Sequence, residues 1–140
     1  MIITEANYNE TLALRQQVLY PEKDIEFVKL PNDDMGLHIG IEENKELVSV
    51  ISLFIERESR SVQFRKLATR TDLQGKGYAS NLMKWLIDYA SDMQLSRLWC
   101  NARKESVGFY KKFGYKETDQ TFEKNGHEYV IMELTEFPKK

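Results

Sequence analysis

Polar and apolar residues change rhythm several times along the chain, and each change marks an element. Residues 1–3 can open as a short strand. Asn7 or Asn9 can then cap a helix to about Leu19, with Leu12, Leu14, Val18 and Leu19 as its apolar side and Pro21 ending it. Residues 22–34 mix Ile25, Phe27, Val28 and Leu30 with Pro31, Asn32, Asp33 and Asp34, the pattern of an irregular arm with at most one short helix or strand. Such an arm is either a wall of a substrate pocket or plain cover for the core. Strand character returns over residues 37–41, and a polar turn at 43–46 leads into the most apolar run, 47–55, interrupted only by Ser49 and Ser52. So continuous an apolar run predicts a strand covered on both faces, and therefore helices on both sides of a sheet. The turn at 57–61 feeds a strand over 62–69, and the tight polar turns predict antiparallel pairing.

From about Ser80 to Met93 the apolar positions Leu82, Leu86, Tyr89 and Met93, with Met83, Ile87 and Ala90 beside them, have helical spacing and read as core. Residues 95–102, containing Leu98, Trp99 and Cys100, read as a strand; strand, helix and strand make a crossover, so this strand must run parallel to 62–69. A short helix over 105–113 sets Phe109 and Phe113 one turn apart, puts Lys111 and Lys112 where a helix dipole favours cations, and has Gly114 as its C-terminal cap. The last strands, 115–122 and 127–134, flank Asn125-Gly126, the strongest hairpin signal in the chain; residues 137–140 read as a frayed tail. The expected fold is α/β (α+β): a single mixed, mostly antiparallel twisted sheet of about six to seven strands with helices on both faces.

Length and composition narrow the function classes. At 140 residues the chain reads as one domain over 1–140. Hydrophobic residues at 41%, charged residues at 30% and a net charge of -2 suit a soluble globular protein and offer no concentrated basic surface for nucleic acid. No basic segment followed by a long apolar one opens the chain, so no membrane association and a cytoplasmic location are expected. Cys100 is the single cysteine, which fits a reducing compartment and reads as a buried small hydrophobe rather than a nucleophile. His38 and His127 show no metal-ligand spacing, so no metal is expected.

The chemistry concentrates at Gln74-Gly75-Lys76-Gly77-Tyr78-Ala79, between the strand ending Leu67-Ala68-Thr69 and the helix from Ser80. A strand that turns through glycines into a helix leaves backbone N–H groups unpaired at the positive end of the helix dipole, where an anion binds. A Cβ there would hold a phosphate away from the backbone, and Lys76 adds a mobile cation. The other reading of the loop is a tight turn without a ligand.

Two segments in this order resemble the GNAT superfamily of N-acetyltransferases. Residues 74–79 fit its phosphate-loop pattern Q/R-x-x-G-x-G/A, and Phe109-Tyr110-Lys111-Lys112-Phe113-Gly114-Tyr115 resembles its F/L-Y-x-x-x-G-F/Y segment. The element order is similar over most of the chain. The resemblance implies that acetyl-coenzyme A (coenzyme A) is the co-substrate, that the loop N–H groups from Gln74 through Gly75, Lys76, Gly77, Tyr78, Ala79 and Ser80 hold its pyrophosphate, and that the pantetheine arm pairs with Leu67, Ala68 and Thr69. For that pairing it implies a wedge between the Leu67 strand and the Asn101 strand. Tyr110 would donate a hydrogen bond or proton to the departing thiolate, and a backbone N–H of residues 67–69 would stabilise an oxyanion. The acceptor would be a primary amine of a small molecule or peptide, and the family allows a homodimer.

Two departures leave roles open. Where many members carry a glutamate on the strand before the loop, this chain has Gln63 and Arg65, neither a base, which leaves Glu56, Glu58 and His127 as residues that could relay the amine proton through water. Of these a histidine titrates nearest neutrality. Arg103 stands where the family often has an asparagine, which leaves Arg103 or Lys104 to meet a phosphate and Asn101 to face the pantetheine. The acidic residues Asp33, Asp34, Glu42 and Glu43 either attract a cationic amine or are solvated turns. Tyr110 can also be read as a core tyrosine, and the whole chain as a non-catalytic acyl-coenzyme A binding module. A nucleotide-binding reading lacks the lysine followed by serine or threonine of a Walker loop.

Overall fold

The computed structural model describes residues 1–138; Lys139 and Lys140, the end of the expected frayed tail, lie outside the described residues. Seven strands form one mixed sheet in the order β1-β2-β3-β4-β5-β7-β6. They are β1 Ile2–Glu5, β2 Leu37–Glu43, β3 Glu46–Glu56, β4 Ser61–Thr69, β5 Arg97–Arg103, β6 Lys116–Lys124 and β7 His127–Leu134. The helices are α1 Tyr8–Leu19, α2 Ile25–Val28, α3 Tyr78–Asp92 and α4 Val107–Lys111. The mixed, mostly antiparallel sheet flanked by helices is the fold the hydrophobic pattern predicts.

Contacts divide the chain into two compact units, Met1–Phe54 with Phe64–Trp85, and Ile55–Gln63 with the chain from Leu86 on. In the first unit β2 pairs antiparallel with both β1 and β3. Asn7 is the helix cap, its side chain accepting from the Glu10 N–H at 3.0 Å, and the Tyr20 N–H closes the other end of α1 on the Gln16 carbonyl. Leu14, Leu47, Val50 and Ala68 form one apolar cluster; Leu12, Tyr20 and Val28 form another under the arm.

The arm holds α2, capped by Asp24, and a 3-10 turn at Asp33–Met35. A buried ion pair ties it down. The fully buried Arg15 guanidinium donates to both carboxylate oxygens of Asp33, at 2.7 and 3.0 Å, to the Val28 carbonyl at 3.0 Å and to Ser52 Oγ at 2.9 Å. Tyr8 Oη and the Leu30 N–H complete the Asp33 shell. Asp33 is therefore no solvated turn residue awaiting an amine; its charge is already matched.

In the second unit β5 lies parallel to the start of β4, over Ser61–Gln63 with Arg97–Trp99, as the crossover requires. β7 pairs antiparallel with β5 and with β6, and Asn125-Gly126 makes the hairpin turn with φ of 52° and 79°. Two expectations are corrected. Met93 is 51% exposed rather than core, because α3 stops at Asp92 and Gln94, at φ 54°, turns the chain while the Leu95 N–H returns to the Ala90 carbonyl. Leu82, Met83, Leu86 and Ala90 are the buried face. The helix expected over 105–113 is shorter: a 3-10 turn at Lys104–Ser106 precedes the five-residue α4, since Ser106 makes no side-chain cap and Gly108 weakens the first turn.

Candidate active site

The glycine loop belongs to the first unit. After β4, Arg70 is held by Glu46 at 2.8 Å and Asp72 at 2.7 Å, and its N–H donates to the Val48 carbonyl. A 3-10 turn at Thr71–Leu73 follows, and the Gln74 side chain reaches back to the Thr69 carbonyl at 3.2 Å. Thr69 is in turn bonded to Ser49 by its hydroxyl at 2.8 Å. These bonds fix the start of the loop.

Gly75 and Gly77 then take φ of 79° and 89°, values that L side chains rarely adopt, and a Cβ added to either would meet nothing within 4 Å. Packing therefore does not demand glycine there; backbone conformation does, and the space above the backbone stays open. The Asn81 N–H is bonded to the Gly77 carbonyl, as the first regular turn of α3 requires, so the N–H groups of Tyr78, Ala79 and Ser80 precede the intrahelical ladder. Donors at a helix start, glycines without Cβ atoms and clear space suit a pyrophosphate. Tyr78 is engaged with Glu43, and burial followed by that carboxylate raises its phenol.

Lys66, which sequence reasoning passed over, stands one residue before the Leu67-Ala68-Thr69 stretch. Its φ is 57° within β4, and its Nζ lies 5.0 Å from the centre of the Tyr20 ring. Burial lowers its basicity, and the neighbouring charges of Arg65 and Arg15 act in the same direction. A lysine in left-handed backbone inside a strand has no compositional signature.

The second unit carries the other expected residues. Asn101 and Arg103 lie on β5, paired with Ile131 and Tyr129 of β7. Tyr110, in α4, packs edge-on to Phe109 at 5.2 Å and lies 6.0 Å from the Tyr115 ring. Burial, with a smaller contribution from Cys100, holds its phenol well above the ordinary tyrosine value. Burial likewise pushes the Cys100 thiol up to about 12, so the cysteine is inert as a nucleophile, as its reading as a small hydrophobe requires. His127 opens β7 and lines a shallow groove with Lys104, Glu105, Glu123, Gly126 and Glu128, where Lys104 and Glu128 pair at 3.3 Å. Lys111 is paired with Glu117 at 2.8 Å.

Glu56 serves its own turn: it accepts from the Ser59 hydroxyl at 2.8 Å and from the Glu58 N–H at 3.0 Å, and these bonds hold its carboxyl below the usual range. Among the described residues no group of three His, Cys, Asp or Glu side chains is placed to hold a metal ion, and no helix is long and apolar enough to cross a membrane.

The family model for an acetyltransferase (GNAT) domain matches residues 14–136. The chain belongs to the GNAT acetyltransferase family. This GNAT chain is 27% identical over 121 residues to the uncharacterised N-acetyltransferase YitI of Bacillus subtilis, a match covering 81% of each protein. Its fold is similar to that of an aminoglycoside 6'-N-acetyltransferase solved with coenzyme A, with a TM-score of 0.80 at 14% identity over 100% of this chain and 99% of that one. The Escherichia coli ribosomal-protein-S18-alanine N-acetyltransferase is similar at a TM-score of 0.77 and 15% identity, over 96% of this chain and 92% of that one.

Proposed function

We propose that this GNAT chain transfers an acetyl group from acetyl-coenzyme A directly to a primary amine of a small molecule or peptide. The observation that carries the reading is the pair of left-handed glycines, Gly75 and Gly77, at the start of α3 with open space above them. The solved relative that holds coenzyme A on a similar fold supports the same choice of cofactor. In this reading the N–H groups of Gly77, Ala79 and Ser80 bind the pyrophosphate, Lys76 adds charge, and the backbone of Leu67, Ala68 and Thr69 holds the pantetheine. Bound acetyl-coenzyme A supplies the acyl group and a thiolate leaving group.

Tyr110 keeps its proton because burial raises its phenol, and it offers that proton, or a hydrogen bond, to the departing sulfur. Asn101 and Arg103 contact the cofactor from β5. The amine nitrogen must lose a proton to become nucleophilic, and His127 takes it up through water. Glu56, already bonded to Ser59, is a poorer candidate.

Thermal shift with coenzyme A against ATP tests the cofactor, and stabilisation by ATP alone would overturn it. Thiol release across a panel of amines and peptides tests turnover. Gln63 and Arg65, standing on β4 where a base is usual in the family, favour one rival, a non-catalytic acyl-coenzyme A binding module; binding with no release on a broad panel would establish that instead.

A further inference from the structure

We infer that Lys66 receives an anionic group of the acceptor, so that the amine acetylated by this chain also bears a carboxylate. The inference rests on the acetyltransferase reading above and names the class of its acceptor.

Backbone geometry is the first support. Among the described residues the non-glycine positions with positive φ are Asn44, Lys45, Arg60, Lys66, Gln94 and Asn125, and all except Lys66 lie in turns. A lysine held in left-handed backbone within a strand is strained and persists only where its surroundings impose it. The result is a side chain delivered to one place. Its Nζ sits over Tyr20, a 7% exposed residue at the end of α1, and Tyr20 meets Phe27 of α2 edge-on at 5.0 Å. Lys66 thus occupies an aromatic corner where the arm meets β4.

Charge balance is the second support. Lys29, Lys104 and Lys111 each pair with a glutamate, at 2.7, 3.3 and 2.8 Å. Lys66 has the Tyr20 ring as its partner, and among the described residues no carboxylate pairs with it. Its charged neighbours are Arg65 and Arg15, both cations. Asp33 cannot supply the missing charge, because both its oxygens are taken by Arg15 and one also by Tyr8 and the Leu30 N–H. A half-buried ammonium among cations is unfavourable, as the lowered basicity of Lys66 reflects. An incoming carboxylate relieves it; a diamine or polyamine aggravates it. Position is the third support, since Lys66 adjoins Leu67, where the stretch read as holding the pantetheine begins.

The test is calorimetric titration of the coenzyme A-saturated protein with the protein amino acids and their decarboxylated amines, for example phenylalanine against phenethylamine and leucine against isoamylamine. The wild type is expected to bind its preferred amino acid about tenfold more tightly than the matched amine. Lys66→Met should remove that difference by weakening the amino acid alone, and Lys66→Arg should keep it. In turnover, Lys66→Met should raise KM for the amino acid and leave kcat nearly unchanged. Preference for plain amines or polyamines, binding of no amino acid, or a carboxylate preference unaltered in Lys66→Met would each overturn the inference. A thermal shift with coenzyme A, run first, separates the two levels: no shift fells the cofactor reading and this inference together, whereas a shift without carboxylate preference fells only the role of Lys66.

Discussion

The two units bury ionisable groups by opposite means. In the first, Arg15 and Asp33 are both charged and share two hydrogen bonds, and against burial, which acts to raise it, the Arg15, Leu30 and Tyr8 bonds hold the Asp33 carboxyl at about 2. The same arrangement pushes the Tyr8 phenol up to about 12, through burial first and Asp33 second. In the second, Tyr110 packs against Phe109 and Tyr115, and burial raises Cys100, Tyr110 and Tyr115, with smaller contributions from Cys100 at both phenols and from Tyr110 at Tyr115. One arrangement fixes a charge pair so that an arm stays in place. The other fixes protons, so that a phenol stays a donor across the working pH range.

The largest expected effect comes from unbalancing the charged arrangement. Arg15→Met leaves the Asp33 carboxylate buried without its cation and should lower unfolding free energy by about 3–5 kcal/mol in urea titration. Adding Asp33→Leu should restore most of the loss, because a well-packed apolar pair avoids both desolvation penalties. A single-mutant loss below about 1 kcal/mol would place the pair among surface bridges instead.

Next in size is Tyr110→Phe, which removes the proton that the second arrangement preserves. Turnover should fall about a hundredfold while the thermal shift with coenzyme A stays the same. Because burial raises the phenol, the wild-type rate should show no alkaline loss from Tyr110 below about pH 10. Unchanged turnover in the variant would leave Tyr110 as packing alone.

The sequence makes one of these arrangements visible and hides the other. The aromatic helix announces itself because Phe109, Tyr110, Phe113 and Tyr115 sit within seven residues beside an apolar strand containing Cys100. The Arg15–Asp33 pair joins positions eighteen apart, one on the helix α1 and one in a turn rich in Asn and Asp, where a charge ordinarily faces water. Strands, the crossover and the Asn125-Gly126 hairpin were legible because they follow from local periodicity and turn chemistry. Left-handed Gln94 and Lys66 were not, since neither residue type signals positive φ. The same limit hides the backbone of Lys66, although the adjacent Leu67-Ala68-Thr69 belongs to the expected site.

Acid should separate the units further. The Asp33 carboxyl lies at about 2 in the folded chain against an ordinary 3.8, so its contribution to stability is complete above the ordinary value and is lost as pH falls through 4 toward about 2. Urea midpoints measured down this range should decline in the wild type more steeply than in Asp33→Asn, whose side chain does not titrate. Parallel declines would mean that other carboxylates carry the acid sensitivity.

The smallest effects on stability come from a matched pair of glycines, one in each unit. Gly77 has φ of 89° and Gly126 of 79°, and a Cβ on either would meet nothing within 4 Å, so replacing each by alanine incurs backbone strain without a clash. Both variants should lose about 1 kcal/mol in urea. Coenzyme A should tell them apart. At Gly77 the added methyl group would stand over the backbone read as the pyrophosphate cradle and weaken binding about tenfold, with Gly126→Ala unaffected. Equal coenzyme A affinity in the two variants would reduce the Gly75–Gly77 loop to a strand-to-helix turn, and the donors at the start of α3 would then need a different ligand or none.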